Sequence, residues 1–382
     1  MRNFPQELID HILDDLHRDQ SSLVQSSLVC RAWLPATRYH LFSDLTLERQ
    51  PSKDTALLDL LAHGPCTFTP FITRVRMTDR SSDAREVVEQ AWAPRLPLLR
   101  QLSSVTTIYL TGSQFFPTLA HFTGLTYLRL HGVKFDSPHQ LFDMLESCPT
   151  LTSLYFYNVD CSPSFEPISY SHSRHIRDLD IGLSSDVLNF FAGDLVAPNL
   201  NCSKISFESI RVEDTESISK LLRHVDENLH DLSLGFDNDG QARNRVIRNR
   251  LARVEDAFCA HVDLRHNTQL RTLRVTHIIR CTYDGTFVFR MKKLPHILST
   301  IASPHISGMS LLLYIDQIKH LKDFGWAALD DSLSAPNLAS LTEITFCIRG
   351  EMREDHLTAA AAIRLEMPQC CAKRNMTFLD CW

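Results

Sequence analysis

The sequence lacks the motifs that mark common catalytic and cofactor sites. Its 12 glycines are dispersed over 382 residues, without a Gly-x-Gly-x-x-Gly, Gly-x-x-x-x-Gly-Lys or Gly-x-Ser-x-Gly run. Phosphate-binding loops and nucleophile elbows depend on such runs. There is also no Cys-x-x-Cys pair, and the histidines and cysteines lack the paired spacing of a tetrahedral zinc site. The sequence therefore predicts a non-catalytic protein without a metal or cofactor.

Long apolar runs and a strong excess of one charge are also missing. No apolar stretch reaches the roughly 18 residues that a membrane span requires. The formal net charge of −6 gives no reason to expect nucleic acid or an anionic membrane as a partner. The 11 cysteines are scattered, and no basic-then-apolar leader precedes them. This pattern favours reduced thiols, and we expect a cytoplasmic or nuclear location.

The first residues show a helical pattern. Five apolar residues fall on one helical stripe with aspartates on the other side: Leu8, Ile9, Ile12, Leu13 and Leu16. Apolar residues return from Leu23 to Leu34, and Pro35 then marks a helix end, a kink or a fresh first turn. The pattern predicts three short helices by about residue 42.

This segment resembles an F-box, the helical module that binds the Skp adaptor of SCF ubiquitin ligases. The resemblance is carried by "FPQELIDHILDDL" and "SLVCRAWLPATRYHLFSDLTL". The family pattern of Leu-Pro-x-Glu-Leu, then Ile and Leu, then Val-Cys-Arg-x-Trp is matched at Pro5, Glu7, Leu8, Ile12, Leu16, Leu28, Val29, Cys30, Arg31, Trp33 and Phe42. The chain departs from it at Phe4, where leucine is usual.

The resemblance implies which residues would meet or support the Skp adaptor, and through it a cullin. These are Phe4, Pro5, Leu8, Ile9, Ile12, Leu16, Val29, Cys30 and Trp33. A buried tryptophan is also a side chain that often dominates interface energy. The alternative is that the apolar members are simply the core of a small helical cap. For any single residue the cap is the better explanation, but the whole set favours the F-box.

The rest of the chain repeats a six-residue pattern, apolar-x-x-apolar-x-apolar. Ten copies occur: "ITRVRM", "VTTIYL", "LTYLRL", "LTSLYF", "IRDLDI", "CSKISF", "LHDLSL", "LRTLRV", "ISGMSL" and "LTEITF". From Leu128 to Leu232 the fourth positions follow one another at spacings of 25 to 27 residues. This spacing is typical of leucine-rich repeats, which run from roughly 20 to 29 residues.

The fold prediction is therefore α/β: a three-helix F-box followed by an irregular leucine-rich-repeat-like solenoid with a parallel sheet and helices on its convex side. We assign residues 1–48 to the F-box, 49–71 to a linker and 72–382 to the repeats. The asparagine usual three residues after the sixth position is replaced, for example by Val133 and Val159. A regular asparagine ladder is therefore not expected. The alternative is an α/β domain of another winding.

Strand alternation predicts a binding face. If positions one, four and six point into the core, positions three and five lie on the concave face. Arginine and tyrosine, which are enriched at binding hot spots, gather there and nearby. The candidate target-binding residues are Arg76, Tyr109, Tyr127, Arg129, His131, Tyr155 and Tyr157. Tyrosine is also common on exposed strands through β propensity alone, so a patch without function is the equal alternative.

An insertion between the seventh and eighth copies contains closely spaced arginines from Arg243 to Arg253. Such a segment can read an acidic or phosphorylated target. A solvated helix face is the favoured explanation, because neighbouring carboxylates partly neutralise it.

These features predict the substrate-recognition subunit of an SCF-type ubiquitin ligase. The F-box would bind Skp, and the repeat domain would bind an unknown target protein. The alternative is a protein-interaction scaffold that is not coupled to ubiquitination.

Overall fold

A computed structural model describes residues 5–48, 67–79, 92–93, 96–112, 119–162, 176–193, 200–236, 245–281, 288–315, 317–322, 324–349 and 355–380. Most of the predicted linker lies outside these ranges. The chain forms two compact units, Met1–Phe165 and Glu166–Trp382.

The first unit begins with three helices, as predicted: α1 (Gln6–Asp15), α2 (Gln20–Ser27) and α3 (Leu34–Phe42). Asp19 caps α2, because its carboxylate accepts hydrogen bonds from the Ser22 backbone N–H at 3.1 Å and the Ser22 hydroxyl at 2.7 Å. Pro35 lies in the first turn of α3, where a missing N–H costs nothing. Of the three roles open to Pro35, it therefore takes the fresh first turn.

A parallel sheet follows in the same unit. Its order is β1 (Asp44–Glu48), β2 (Arg74–Thr78), β3 (Thr107–Thr111), β4 (Tyr127–His131) and β6 (Ser153–Tyr157). The short strands β5 (Lys134–Phe135) and β7 (Asp160–Cys161) pair separately. Helices α4 (Leu96–Leu99) and α5 (Pro138–Glu146) lie in the connections.

The second unit repeats this arrangement with seven parallel strands: β8 (Asp178–Gly182), β9 (Lys204–Glu208), β10 (Asp231–Gly235), β11 (Thr272–Cys281), β13 (Gly308–Tyr314), β14 (Glu343–Arg349) and β15 (Asn375–Asp380). Strand β12 (Val288–Arg290) pairs antiparallel with β11. The connections contain α6 (Ser185–Phe191), α7 (Thr215–His224), α8 (Arg245–His261), α9 (Leu294–Ser299), α10 (Trp326–Leu333), α11 (Asp355–Glu366) and α12 (Pro368–Lys373).

Burial explains why the six-residue pattern forms this sheet. Positions one, four and six are buried in all ten copies, whereas positions three and five are mostly partly or fully exposed. The fourth positions also pair with one another: Leu128, for example, lies between Ile108 and Leu154. An apolar triplet in constant register therefore builds the core, and the predicted α/β fold with a parallel sheet and interleaved helices is confirmed.

A residue with left-handed backbone conformation lies seven residues after position one in many of the copies. Positive φ occurs there in six copies, at Gly112, Gly132, Asn158, Leu183, Ser209 and His277. In the first unit the turns are linked by backbone hydrogen bonds: Gly112 N–H donates to the His131 carbonyl at 2.7 Å, and Gly132 N–H to the Tyr157 carbonyl at 2.9 Å.

The residue after the turn takes the place of the usual asparagine. It is buried and apolar at Val133, Val159, Ile210 and Ile278. Apolar packing therefore closes these turns where an asparagine side chain would otherwise bond to the backbone.

Gly132→Ala tests the left-handed turn. Gly132 has φ +63°, and an added Cβ has room, because its nearest neighbour would be the Gly112 backbone nitrogen at 4.0 Å. The loss of stability would therefore come from backbone strain alone, and we expect about 1–2 kcal/mol in urea denaturation. Gly124→Ala is the matched control, because its Cβ would make ordinary contact with the Val105 carbonyl at 3.8 Å. Equal effects of the two variants would contradict this account.

His277 occupies the left-handed position in β11, where the pairing with β13 shifts between Val275 and Ile279. Desolvation of its ring, and to a smaller extent the positive charge of Arg349, together lower the pKa of His277 from 6.5 to about 4, while the charge of Glu208 opposes the shift. The folded protein therefore holds this imidazole neutral over a pH range in which the unfolded chain protonates it.

The pKa of His277 predicts acid sensitivity. Because the folded-state pKa lies below the unfolded one, the unfolded state binds more protons, and stability falls as pH decreases from 6.5 towards 4. We expect a loss of up to about 3 kcal/mol. His277→Asn, which tolerates left-handed φ, should flatten the pH dependence of urea midpoints over this range. An unchanged slope would contradict the assignment.

Candidate functional site

The three helices share a very small core. Ile9 and Leu13 from α1 and Leu23 from α2 are fully or almost fully buried. Leu16, Trp33, Ala36 and Leu41 are partly buried and pack around them. Leu13 is the fourth residue after Ile9, so both lie on one stripe of α1.

The same helices expose many apolar side chains. Ten large apolar residues are exposed in the described parts of the chain, and six of them belong to this segment. We call these six the helical apolar set: Leu8, Ile12, Val24, Leu28, Val29 and Tyr39. Leu28 is 82% exposed and Val29 is 62% exposed. Contiguous exposed apolar patches are typical of interaction surfaces, so this concentration makes the three helices the candidate site.

The structure divides the residues that the F-box resemblance assigned to adaptor binding. Pro5, Leu8, Ile12, Val29 and Cys30 are exposed and accessible to a partner. Ile9 is buried, while Leu16 and Trp33 are half-buried against the core. These three can support the surface from below. Phe4 lies outside the described residues.

Val24 and Tyr39 are apolar surface residues that the sequence reasoning missed. Val24 lies four residues before Leu28, and that helical spacing is the only signal that points to it.

A tight connection between α2 and α3 holds Val29 and Cys30 outward. The Val29 N–H donates to the Ser26 carbonyl at 3.1 Å, and the Trp33 N–H donates to the Cys30 carbonyl at 3.2 Å. The buried Thr37 hydroxyl reaches the Trp33 carbonyl at 2.9 Å. The exposed residues therefore sit on a fixed turn.

The helices join the sheet without a spacer. Only Ser43 separates α3 from β1, and its carbonyl accepts hydrogen bonds from the backbone N–H groups of Thr73 at 3.1 Å and Arg74 at 2.9 Å. The Phe42 ring stacks on Phe68 with a centroid distance of 4.7 Å. The helical segment is therefore packed against the first strands of its unit.

The exposed face of the first sheet contains all seven predicted target-binding residues. The register places Arg76, Tyr109, Arg129 and Tyr155 side by side on one rung of four neighbouring strands. His131 and Tyr157 share the next exposed rung, and Tyr127 lies on the preceding one. We call these seven residues the arginine–tyrosine face.

Contacts within the arginine–tyrosine face hold its members in place. The Arg129 guanidinium lies 4.0 Å from the Tyr155 ring centroid, and Arg76 lies 5.2 Å from Tyr109. Arg76 also forms a bidentate pair with Asp44, with N–O distances of 3.1 and 3.2 Å.

Two further ring contacts extend the face across β4. His131 meets Tyr157 edge-on at a centroid distance of 5.2 Å, and Tyr109 and Tyr127 lie 5.8 Å apart. Stacked arginines and rings lose little side-chain freedom on binding, so the face is pre-organised.

The predicted arginine segment forms part of the 17-residue helix α8. Arg253 is exposed. Arg243 lies outside the described residues, and the side chains of Arg245, Arg248 and Arg250 also lie outside the description. Within the described ranges, no three His, Cys, Asp or Glu side chains are grouped to hold a metal ion. The helices that the structure describes include none that is long and apolar enough to cross a membrane.

Comparisons with known proteins do not assign this chain to a family. No protein-family profile matches this chain, and no curated protein matches its sequence.

Leu13→Ala and Leu28→Ala separate the core of the helices from their exposed surface. Leu13 is fully buried, so its truncation should cost about 2–5 kcal/mol of local stability. Leu28 is 82% exposed, and its truncation should change stability by less than about 0.5 kcal/mol. Amide hydrogen exchange of α1 to α3 measures both. Similar loss of protection in the two variants would contradict this division.

Proposed function

We propose that this chain is the substrate receptor of an SCF-type ubiquitin ligase. Helices α1 to α3 bind the Skp adaptor, and the repeat sheet binds the target protein. The observation that carries the proposal is the helical apolar set, because four of its members are also F-box motif positions: Leu8, Ile12, Leu28 and Val29. If the three helices were only a small cap, with these apolar residues as its core, the side chains would be buried.

The receptor contributes proximity. The adaptor and cullin bring a ubiquitin-conjugating enzyme, and the repeat sheet holds the target close to it, which raises the effective concentration of a target lysine. This role needs no catalytic residue in the chain. The packing of α3 against the first strands supports it, because a fixed link holds a bound target at a defined distance from the adaptor.

Leu8→Asp combined with Val29→Asp tests adaptor binding. Both side chains are exposed, so the variant should fold normally, whereas two desolvated carboxylates should reduce Skp co-purification more than about tenfold. Leu357→Asp with Leu365→Asp is the matched control, because these leucines are 79% and 83% exposed in the second unit. The control should recover Skp as the wild-type chain does.

The proposal fails if the wild-type chain does not recover Skp from cells. Recovery of Skp without a cullin would instead favour a scaffold that is not coupled to ubiquitination.

A further inference from the structure

The arginine–tyrosine face has an uneven charge. On the exposed rungs of β2, β3, β4 and β6 the described residues include Arg74, Arg76 and Arg129 but no aspartate or glutamate. Among the described residues of β1, β2, β3, β4 and β6, the acidic residues lie on β1, the first of these strands. Asp44 contacts both Arg74, at 3.5 Å, and Arg76, at 3.1 Å. Glu48 is at the far end of β1, beside Thr78.

Two positive charges therefore remain unbalanced across these rungs. One belongs to the pair of arginines that share the single carboxylate of Asp44. The other is Arg129, whose guanidinium lies over Tyr155 and contacts no carboxylate among the described residues. A guanidinium stacked on a ring keeps its edge N–H groups available for a bidentate acceptor. The Arg76–Asp44 pair shows that a carboxylate can bind a ring-stacked arginine on the rung that also contains Arg129.

The distance between Arg76 and Arg129 matches the side-chain spacing of one peptide conformation. Arg76 and Arg129 share one rung on β2 and β4, with β3 between them. Neighbouring strands lie about 4.7–4.9 Å apart, so the two positions are separated by roughly 9.6 Å. In a polyproline II chain, side chains three residues apart lie on the same side, about 9 Å apart. Such chains also dock on aromatic surfaces, and Tyr109 lies between the two arginines.

We propose that the arginine–tyrosine face binds an extended acidic peptide whose Asp or Glu side chains are three residues apart. The peptide crosses the strands along the central rung, with one carboxylate at Arg129 and the other at the Arg74–Arg76 pair. Its backbone and intervening residues lie on Tyr109. This assignment rests on the proposed function, because it names the chemistry of the target that the receptor would hold.

Peptide binding to the 382-residue chain tests this assignment. The probes are fluorescein-labelled Pro/Ala peptides with two aspartates at separations of one to five residues, and the same peptides with asparagine. Fluorescence anisotropy should show the tightest binding at a separation of three. The asparagine peptide should bind about tenfold more weakly or worse, because charge-assisted contacts are lost. Affinity should also fall with added salt.

Arg129→Gln should weaken the best peptide about tenfold, since one of the two carboxylates loses its partner. Arg274→Gln is the matched control: Arg274 occupies the same fifth position of its copy, on β11 of the second unit, and is exposed. It should leave peptide binding unchanged.

Several results would overturn the assignment. These are equal binding of the aspartate and asparagine peptides, no dependence on their separation, or no binding of any probe. If peptides with phosphoserine in place of aspartate bound more than tenfold tighter, the assignment of carboxylates as the recognised groups would also be overturned. Skp recovery is measured on the same preparations. If the peptides do not bind but Skp is recovered, only the peptide assignment is refuted. If the peptides bind but Skp is not recovered, only the proposed function is refuted.

Discussion

Parallel pairing in a constant register is the constraint on which the other features depend. Leu128 pairs with Ile108 on one side and Leu154 on the other, so the buried positions of neighbouring strands coincide. Side chains alternate along a strand, and a slip of one residue would expose these leucines and bury Arg129. The register that assembles the core therefore also aligns Arg76, Tyr109, Arg129 and Tyr155 on the other side. The core and the arginine–tyrosine face are two consequences of one pairing.

The same register connects the face to the helices. Asp44 is the first residue of β1, directly after the Ser43 that ends α3, and its carboxylate holds Arg76 on the neighbouring strand. The Ser43 carbonyl meanwhile accepts the first hydrogen bonds of β2. Two successive residues thus fix the proposed adaptor-binding helices and orient the first arginine of the proposed target-binding face. A receptor that works by proximity benefits from such a short link, because a long flexible one would lower the effective concentration of the target.

Periodicity predicted the strands well because each copy carries three apolar residues at fixed spacing. It missed β1 and β15, where position one is the partly exposed Phe42 or the charged Lys373. Glycine at positions 112 and 132 suggests the left-handed turn from the sequence, but leucine at 183 and serine at 209 do not. Their conformation is imposed by the strand ends that flank them, and such strain is visible only in the assembled repeat.

In the helical segment, the sequence predicted three helices but not which of their apolar side chains are buried. Leu8 and Ile9 are adjacent and lie on one predicted stripe, yet Leu8 is 48% exposed and Ile9 is buried. Only the packing of α1 on its neighbours separates them.

That packing has an energetic consequence for the proposed function. In the part of the chain that the structure describes, the fully or almost fully buried apolar core of the three helices consists of Ile9, Leu13 and Leu23. Leaving a leucine or valine in water forgoes about 1.5–3 kcal/mol of burial energy, and six large apolar residues are left exposed here. A partner that covers them adds apolar contact that these helices cannot supply for themselves. Because a ligand that binds only the folded state stabilises it, the proposed partner would make the order of the helices depend on its concentration. The proposed adaptor binding would then stabilise the helices that carry the proposed site and, through Ser43 and Asp44, the edge of the sheet beside the arginine–tyrosine face.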